Sequence, residues 1–456
     1  MNVLLTIPHK KGFSTSGLQS LGIGMIAAVL VRQGHCVKVL DLTVDQKTPE
    51  EFGECVRQAN PDLVGFTATS PTVEYVYNQL VPQVYKLSKA KVVMGGPHPT
   101  VEVEEGLKFV DFVVRGEGEE TITELCANGL DPRNVRGLSF KNNGTVVHNP
   151  PREFIADLDS LPFPARDLFP PLNRYRGLPS LGNLIVGNLS SSRGCYGRCS
   201  FCSRAVFGRR CRFRSAGSVV EEWELLIKKY GAEVVTMSDD HFSASTKRVY
   251  EICALLEQKH LTRTPWTLSN GIRVETATPD LLSRIKKCGC LALAFGIESG
   301  SQEVLNAMNK HITLEKIRKA VNDARQAGIH TITGFFILGS PWDSVPAMEK
   351  TIAFAKSLPL DYAQFAIATP FPGTEMREMV KDRLLVPFSQ YVAHERVVYF
   401  ETDLLKKEDV LRYFAKAYRE FYMRPSVMLR HCKRIISRPS VFPTYMDGLK
   451  RFILCR

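Results

Sequence analysis

Two series of short, apolar, β-branched runs alternate with amphipathic stretches along this chain, and no other feature narrows its fold as far. Residues 1 to 125 carry "NVLLTI", "CVKVLDL", "LVGFTAT", "KVVMGG" and "DFVVRG". Runs that are apolar throughout suit strands buried on both faces, the pattern of a parallel sheet. Between them lie helical patterns such as "LGIGMIAAVLVRQG", closed by Gly34. Five strands with intervening helices make an open, doubly wound, flavodoxin-like α/β sheet, whose ligands bind at the carboxyl ends of the strands. Those ends are "PHKKGFSTSG", "TATSPT" and "GGPHPT", rich in Gly, Ser, Thr and Pro.

The second series begins near Asn183 with "NLIVGNLS", "EVVTMSD", "WTLSNGI", "LALAFGIE", "TITGFFILG" and "YAQFAIAT". Six β/α units are too few for an eight-fold barrel and fit a partial one, again with its chemistry at the carboxyl ends of the strands. Between the two series, a hairpin signal at Asn143–Gly144 and a proline-rich run read as a linker. The expected organisation is a front domain over 1–130, a linker over 131–182, a partial (β/α)6 barrel over 183–380 and a helical C-terminal segment over 381–456.

Directly after the first barrel strand comes "SSSRGCYGRCSFCSRAVFG", which spaces Cys195, Cys199 and Cys202 as C-x3-C-x2-C. A structural zinc site wants four ligands, and the nearest extra thiol, Cys211, lies in "GRRCRFRS" with no second pair following. A [4Fe–4S] cluster is normally held by four thiolates, so three would leave one iron open to a ligand. The other nine of the twelve cysteines are scattered or sit in apolar stretches and read as structural thiols. The start of the chain reads as a first strand rather than a secretory leader, and no run of eighteen apolar residues appears. A reducing, cytoplasmic setting is the expectation.

The resemblance of the barrel segment follows from these residues. The cysteine motif with Phe201 before its last cysteine, then "MSDDHFS", "SNGIR", "FGIESGSQEVLNAMNK", "GFFILGSP" and "ATPFPGTEM" in that order, resembles the radical S-adenosylmethionine superfamily over residues 183–380. The resemblance implies that Cys195, Cys199 and Cys202 hold a [4Fe–4S] cluster whose open iron chelates S-adenosylmethionine, which is cleaved to a 5′-deoxyadenosyl radical. A zwitterionic ligand carrying ribose needs acceptors for its ammonium and hydroxyls, which suits Asp239, Asp240, Asn270 and Glu298. Its carboxylate suits a cation, with Arg273 the candidate by resemblance. Two local readings compete: Asp240 could cap the following helix, and Arg273 could pair with Glu275 on the surface.

The front segment, with "GGPHPTVEVEEGL" and "VVRGEGEETITEL", resembles the cobalamin-binding domain that precedes such a barrel in one large subfamily. Thr67, Ser70, Gly95, Gly96, His98 and Thr100 are the residues expected to line a cobalamin site. The D-x-H-x-x-G motif that supplies a histidine to cobalt is absent, since His98 has no Asp two residues before it. Cobalamin would then bind without a protein imidazole on the metal. The combination implies methyl transfer to an unactivated carbon of an apolar or tetrapyrrole-like substrate. Oxidative cyclisation or carbon–carbon coupling without methyl transfer is the alternative, and a cobalamin- or metal-binding sensor is the rival from another class. A reductant such as flavodoxin or ferredoxin is implied.

The formal charge of +12 is unevenly spread. Met423 to Arg456 holds eight Lys or Arg against one Asp, and Arg193 to Arg214 holds seven arginines and no acid. Basic patches attract anions, yet no nucleic-acid-reading motif accompanies them. The tail interleaves Met428, Leu429, Ile435 and Ile436 with its cations, which allows a peripheral contact with the inner face of an anionic membrane. A helix packed on the barrel with a solvated charged face is the plainer alternative.

Overall fold

The computed structural model describes residues 1–9, 17–175, 177–178, 181–391 and 396–437. The five front strands form where the apolar runs place them: β1 (Asn2–Ile7), β2 (Cys36–Asp41), β3 (Leu63–Thr67), β4 (Lys91–Gly95) and β5 (Phe112–Val114). All five are parallel, in the order β2-β1-β3-β4-β5. Helices cover both faces, which is why the strands carry no polar face. Phe52, Val56, Val73 and Val84 pack on one side, and Ile23, Ala27, Leu30 and Leu125 on the other. Helix starts follow local chemistry. Thr48 and Glu51 form a reciprocal capping box at the helix over Pro49–Ala59, with Pro49 at its first turn.

The hairpin at Asn143–Gly144 forms, but not as part of a free linker. Its strands β6 (Leu138–Asn142) and β7 (Thr145–His148) continue the front sheet, with β6 antiparallel to β5. Phe140 and Leu138 join the front core. The sheet therefore runs to His148, beyond the expected boundary at 130.

The barrel strands are β8 (Val186–Leu189), β11 (Val234–Met237), β12 (Trp266–Ile272), β13 (Cys290–Glu298), β14 (Thr331–Leu338) and β15 (Tyr362–Ile367). They make one parallel six-stranded sheet in chain order, curved around a lumen. Two short strands, β9 (Ser192–Arg193) and β10 (Arg212–Phe213), pair antiparallel and close the base of the cysteine-bearing loop. A partial barrel leaves β15 as an edge, which invites pairing with other chains. The helix over Lys407–Tyr422 covers it: the Tyr422 hydroxyl bridges the N–H and C=O of Ala363, and Tyr418 does the same for Phe365.

Front sheet and barrel are joined by buried ions. Arg193 donates to Glu117 at 2.6 Å and Glu119 at 2.5 Å, and Arg212 donates to Glu117 at 2.7 Å and to the Ile155 carbonyl at 2.8 Å. Arg166 reaches Glu222 at 2.7 Å, and Arg214 also pairs with Glu222. The arginine-rich segment is thus only partly an anion-attracting patch, because Arg193, Arg212 and Arg214 are spent internally. The tail helix over Pro425–Ser437 is docked by its own arginine, with Arg430 donating to the Leu360 carbonyl at 3.1 Å. Met428, Leu429 and Ile436 point outward and are exposed. Residues 438–456 of the basic tail lie outside the described residues.

Candidate active site

The six residues expected around cobalamin come together at the ends of β3 and β4. The Ala68 N–H donates to the Gly95 carbonyl at 3.0 Å and ties the two loops. Gly96 has φ of +105°, and a Cβ there would meet the Ala68 carbonyl at 2.9 Å and the Thr67 hydroxyl at 3.0 Å. Only glycine fits both the backbone and the space. Thr100 donates to the Gly96 carbonyl at 2.8 Å and accepts from the Gly116 N–H at 3.1 Å. His98 is buried, its Nδ1 bonded to Ser70 Oγ at 2.9 Å. Its Nε2 lies 3.6 Å from Glu105, beyond hydrogen-bond reach, and Phe388 from the C-terminal segment packs edge-on at 4.9 Å. The Nδ1 side of the imidazole is thus tied into the loop, while Nε2 has no hydrogen-bond partner. A backbone shelf that only glycine can form at Gly96, beside a buried polar nitrogen left without a partner, fits a large cofactor such as cobalamin.

At the barrel mouth, the loop between β9 and β10 carries the three cysteines. The Gly197 N–H donates to Cys195 Sγ at 3.4 Å, the Cys202 N–H to the Cys199 carbonyl at 3.1 Å, and the Ser200 N–H to the Met308 carbonyl at 3.0 Å. Among the described residues no three His, Cys, Asp or Glu side chains gather as ligands of a single metal ion. Arg273, at the end of β12, brings its Nη1 to 4.0 Å from Cys199 Sγ and its Nη2 to 3.3 Å from the Lys310 carbonyl. It also pairs with Glu275 at 2.7 Å, the local partner expected for it, though the pair is largely buried rather than on the surface. Burial opposes its charge, while Glu275 and the neighbouring Cys199 and Cys195 sulfurs hold its pKa above the ordinary value.

The acidic candidates divide. Glu298 is buried at the end of β13 with φ of +67°, a strained setting for a residue with a side chain. It accepts from Lys310 Nζ at 2.7 Å, and this pair lies over Gly296, where a Cβ would meet Glu298 at 2.6 Å. Asp240 does not cap the next helix. It accepts from the Gly194 N–H at 3.1 Å, at the base of the cysteine loop, and burial raises its pKa. Asp239 accepts from the Ser191 N–H at 3.1 Å and hydroxyl at 2.7 Å and from the Ser192 hydroxyl at 2.5 Å, all at Oδ1, and so braces the start of the loop. Asn270 lies exposed at an irregularity in β12, three residues before Arg273.

Two residues that the sequence did not single out complete the site. Lys310 is buried, and Glu298 keeps its pKa above the ordinary value against the opposing effect of burial. His241, within "MSDDHFS", is buried 4.9 Å from the Tyr196 ring with neither ring nitrogen bonded. Burial, helped by Arg273, holds its pKa down to about 4, so the imidazole is neutral. Two unmet nitrogens, a buried lysine and a half-buried arginine beside the cysteines fit a zwitterionic ligand such as S-adenosylmethionine. The only advance signals were a Lys and a His inside matched motifs.

The fold thus presents two strand-end sites, a glycine-bearing shelf after β3 and β4 and a three-cysteine loop at the barrel mouth. The Radical SAM superfamily profile matches residues 189–355, and the B12 binding domain profile matches residues 15–126. The chain is 35% identical to an uncharacterized methyltransferase of Pyrococcus horikoshii, over 94% of each chain. It is 27% identical to an anaerobic magnesium-protoporphyrin IX monomethyl ester cyclase of Cereibacter sphaeroides, covering 85% of this chain and 64% of that one. Its fold matches the radical S-adenosylmethionine methyltransferase TsrM of Kitasatospora setae, solved with cobalamin and a [4Fe–4S] cluster bound, at TM-score 0.73 and 19% identity, covering 93% and 89% of the two chains. The chain belongs to the radical SAM superfamily, in the branch that carries a B12-binding domain. It is an enzyme whose cofactors are a [4Fe–4S] cluster, S-adenosylmethionine and cobalamin, and it acts on a small-molecule substrate with the help of a reductant. No helix among the described residues is long and apolar enough to cross a membrane.

Proposed function

We propose that this enzyme transfers a methyl group to an unactivated carbon of an apolar or tetrapyrrole-like substrate bound in the barrel lumen. The convergence of the two strand-end faces carries this reading. A Cβ at Gly116, after β5, would lie 3.8 Å from the carbonyl of Val206 in the cysteine loop, and one at Gly373, after β15, would lie 3.0 Å from Val101. The substrate class rests on the lumen wall. Thr333, Phe335 and Ile337 of β14 stand beside Tyr362, Gln364 and Ala366 of β15, and all six are only half-buried. Their alternating neighbours Ile332, Phe336, Leu338, Ala363, Phe365 and Ile367 are buried in the core. The wall is thus mostly apolar and not filled by protein.

In this reading Cys195, Cys199 and Cys202 hold the cluster, and Asp240, Asn270, Arg273, Glu298, Lys310 and His241 surround S-adenosylmethionine. Asp239 positions the loop. Thr67, Ser70, Gly95, Gly96, His98 and Thr100 line the cobalamin site. When bound, the cluster and S-adenosylmethionine supply a substrate-activating radical and cobalamin supplies the methyl group. Arg273 and Lys310 orient the carboxylate, Glu298 takes the ammonium or ribose hydroxyls, and Phe388 closes the shelf from above. The outward apolar residues Met428, Leu429 and Ile436 on the docked tail helix support peripheral contact with an anionic membrane on the cytoplasmic side.

The test is S-adenosylmethionine with a 13C-labelled methyl group, given with reductant to reconstituted, cobalamin-loaded protein in extract of a strain lacking it. We expect 5′-deoxyadenosine and label in a new apolar metabolite. A product that forms without label replaces methyl transfer with the oxidative alternative that the cyclase relatives suggest. Replacing all three cysteines by alanine should lower iron from about four per chain to near none and abolish 5′-deoxyadenosine formation.

A further inference from the structure

Seven arginines lie between residues 193 and 214, and they divide sharply. Arg193, Arg212 and Arg214 are buried on Glu117, Glu119 and Glu222, and Arg204 donates to the Gly197 carbonyl at 2.6 Å. Arg198, Arg209 and Arg210 are exposed and have neither a hydrogen bond nor an ion pair from their side chains among the described residues. We infer that these three arginines form the docking surface for a small acidic one-electron carrier protein of the flavodoxin or ferredoxin class. The inference rests on the proposed cluster ligation by Cys195, Cys199 and Cys202.

Position supports it first. Arg198 lies between Cys195 and Cys199 in the chain, adjacent to the second. Arg209 and Arg210 precede Cys211, whose thiol donates at 3.4 Å to the carbonyl of Gly194, the residue before Cys195. Each free guanidinium therefore sits on backbone that carries or braces a cluster cysteine, where a donor must come close for an electron to cross. The outer side of the loop is open, since Cys202 and Ser203 are exposed and Tyr196 is 46% exposed.

Charge supports it second. Residues 193–214 contain no Asp or Glu, and the carboxylates that approach this segment from the front domain and the helix at Glu222 are occupied by the buried arginines. Asp240 also approaches the segment, from the inner side at the Gly194 N–H, and none of these carboxylates pairs with the three outer cations. Such a patch steers an acidic partner and orients it, with a rate that falls as salt rises. In the transfer the carrier loses one electron and the cluster gains it, and no atom or proton moves.

The test replaces all three, Arg198→Glu, Arg209→Glu and Arg210→Glu, in the full-length protein. Binding of oxidised flavodoxin, followed by its flavin fluorescence, needs no turnover. It should weaken about tenfold or more in the variant, as it should in wild type on raising salt from low to physiological strength. 5′-Deoxyadenosine formation driven by reduced flavodoxin should fall in parallel, while formation driven by titanium(III) citrate stays within twofold. An Arg→Lys triple variant, which keeps the charge, should behave nearly as wild type. Unchanged flavodoxin binding in the glutamate variant, absence of binding in wild type, or an equal loss with titanium(III) citrate would each overturn the proposal. Failure of the cluster reading shows separately, as wild-type iron content that does not depend on the three cysteines.

Discussion

At the carboxyl end of the front sheet most polar groups answer one another: Ser70 holds His98, and Thr100 links the Gly96 carbonyl to the Gly116 N–H. At the carboxyl end of the barrel the reverse holds. His241 has two empty nitrogens, and Lys310 spends its side-chain bond on Glu298 alone, with two of its three donors left over. The first end is a shelf shaped by backbone, suited to a large cofactor that needs area and few charges. The second is a charged socket, left incomplete by the protein and suited to a small zwitterion. One fold principle, ligand at strand ends, thus produces two kinds of site.

The largest effect should come from breaking the socket. Lys310→Met leaves Glu298 buried and uncompensated, which costs about 3–5 kcal/mol. Denaturant unfolding should show that loss, and S-adenosylmethionine titration a weakened site. Adding Glu298→Gln should recover stability without recovering affinity. If Lys310→Met changes neither, the socket is ordinary core.

A second test addresses a carboxylate in the loop after β14. Asp343 accepts from the Ser340 N–H at 3.0 Å and hydroxyl at 2.9 Å, yet burial pushes its pKa from 3.8 up to about 6. A folded value above the unfolded one means that the protonated form is favoured on folding. Stability is therefore full below the unfolded value and is lost as pH rises from 3.8 to about 6, by roughly 3 kcal/mol at most. Asp343→Asn should raise the thermal midpoint at pH 8 and leave it unchanged or lower at pH 4. A gain at both would contradict the burial argument.

The shelf should respond most mildly. Gly96→Ala forces a side chain into a left-handed backbone and against Ala68 and Thr67, at about 1–3 kcal/mol. Cobalamin retention after desalting should drop while S-adenosylmethionine cleavage persists. Loss of both together would mean that the two ends are not separable.

How much of this was legible in advance follows from range along the chain. The eleven parallel strands were readable as short, largely apolar, β-branched runs, which burial of one or both faces writes into the sequence. The Asn143–Gly144 turn announced a hairpin, but its membership of the front sheet depends on pairing with β5, a tertiary choice. The arginines of the cysteine loop read as surplus charge because their carboxylate partners Glu117 and Glu119 lie 74 or more residues away. Asp239 and Asp240 looked alike in "SDD", and only the packing of Ser191, Ser192 and Gly194 around them separates their roles. His241 was visible only as one residue of "MSDDHFS", since an unbonded imidazole is a property of its surroundings.

Glu117 and Glu119 belong to the front domain, and Arg193 and Arg212 to the barrel. A cut anywhere between residues 149 and 185 would strand carboxylates on one fragment and guanidinium groups on the other, each a former buried partner worth several kcal/mol. Neither half should be recoverable as a well-behaved fragment. The same arithmetic bears on descent: a foreign front sheet could be grafted to this barrel only if the loop after its fifth strand brought its own pair of acids. Shuffling of modules is thereby confined to donors that already share the lock.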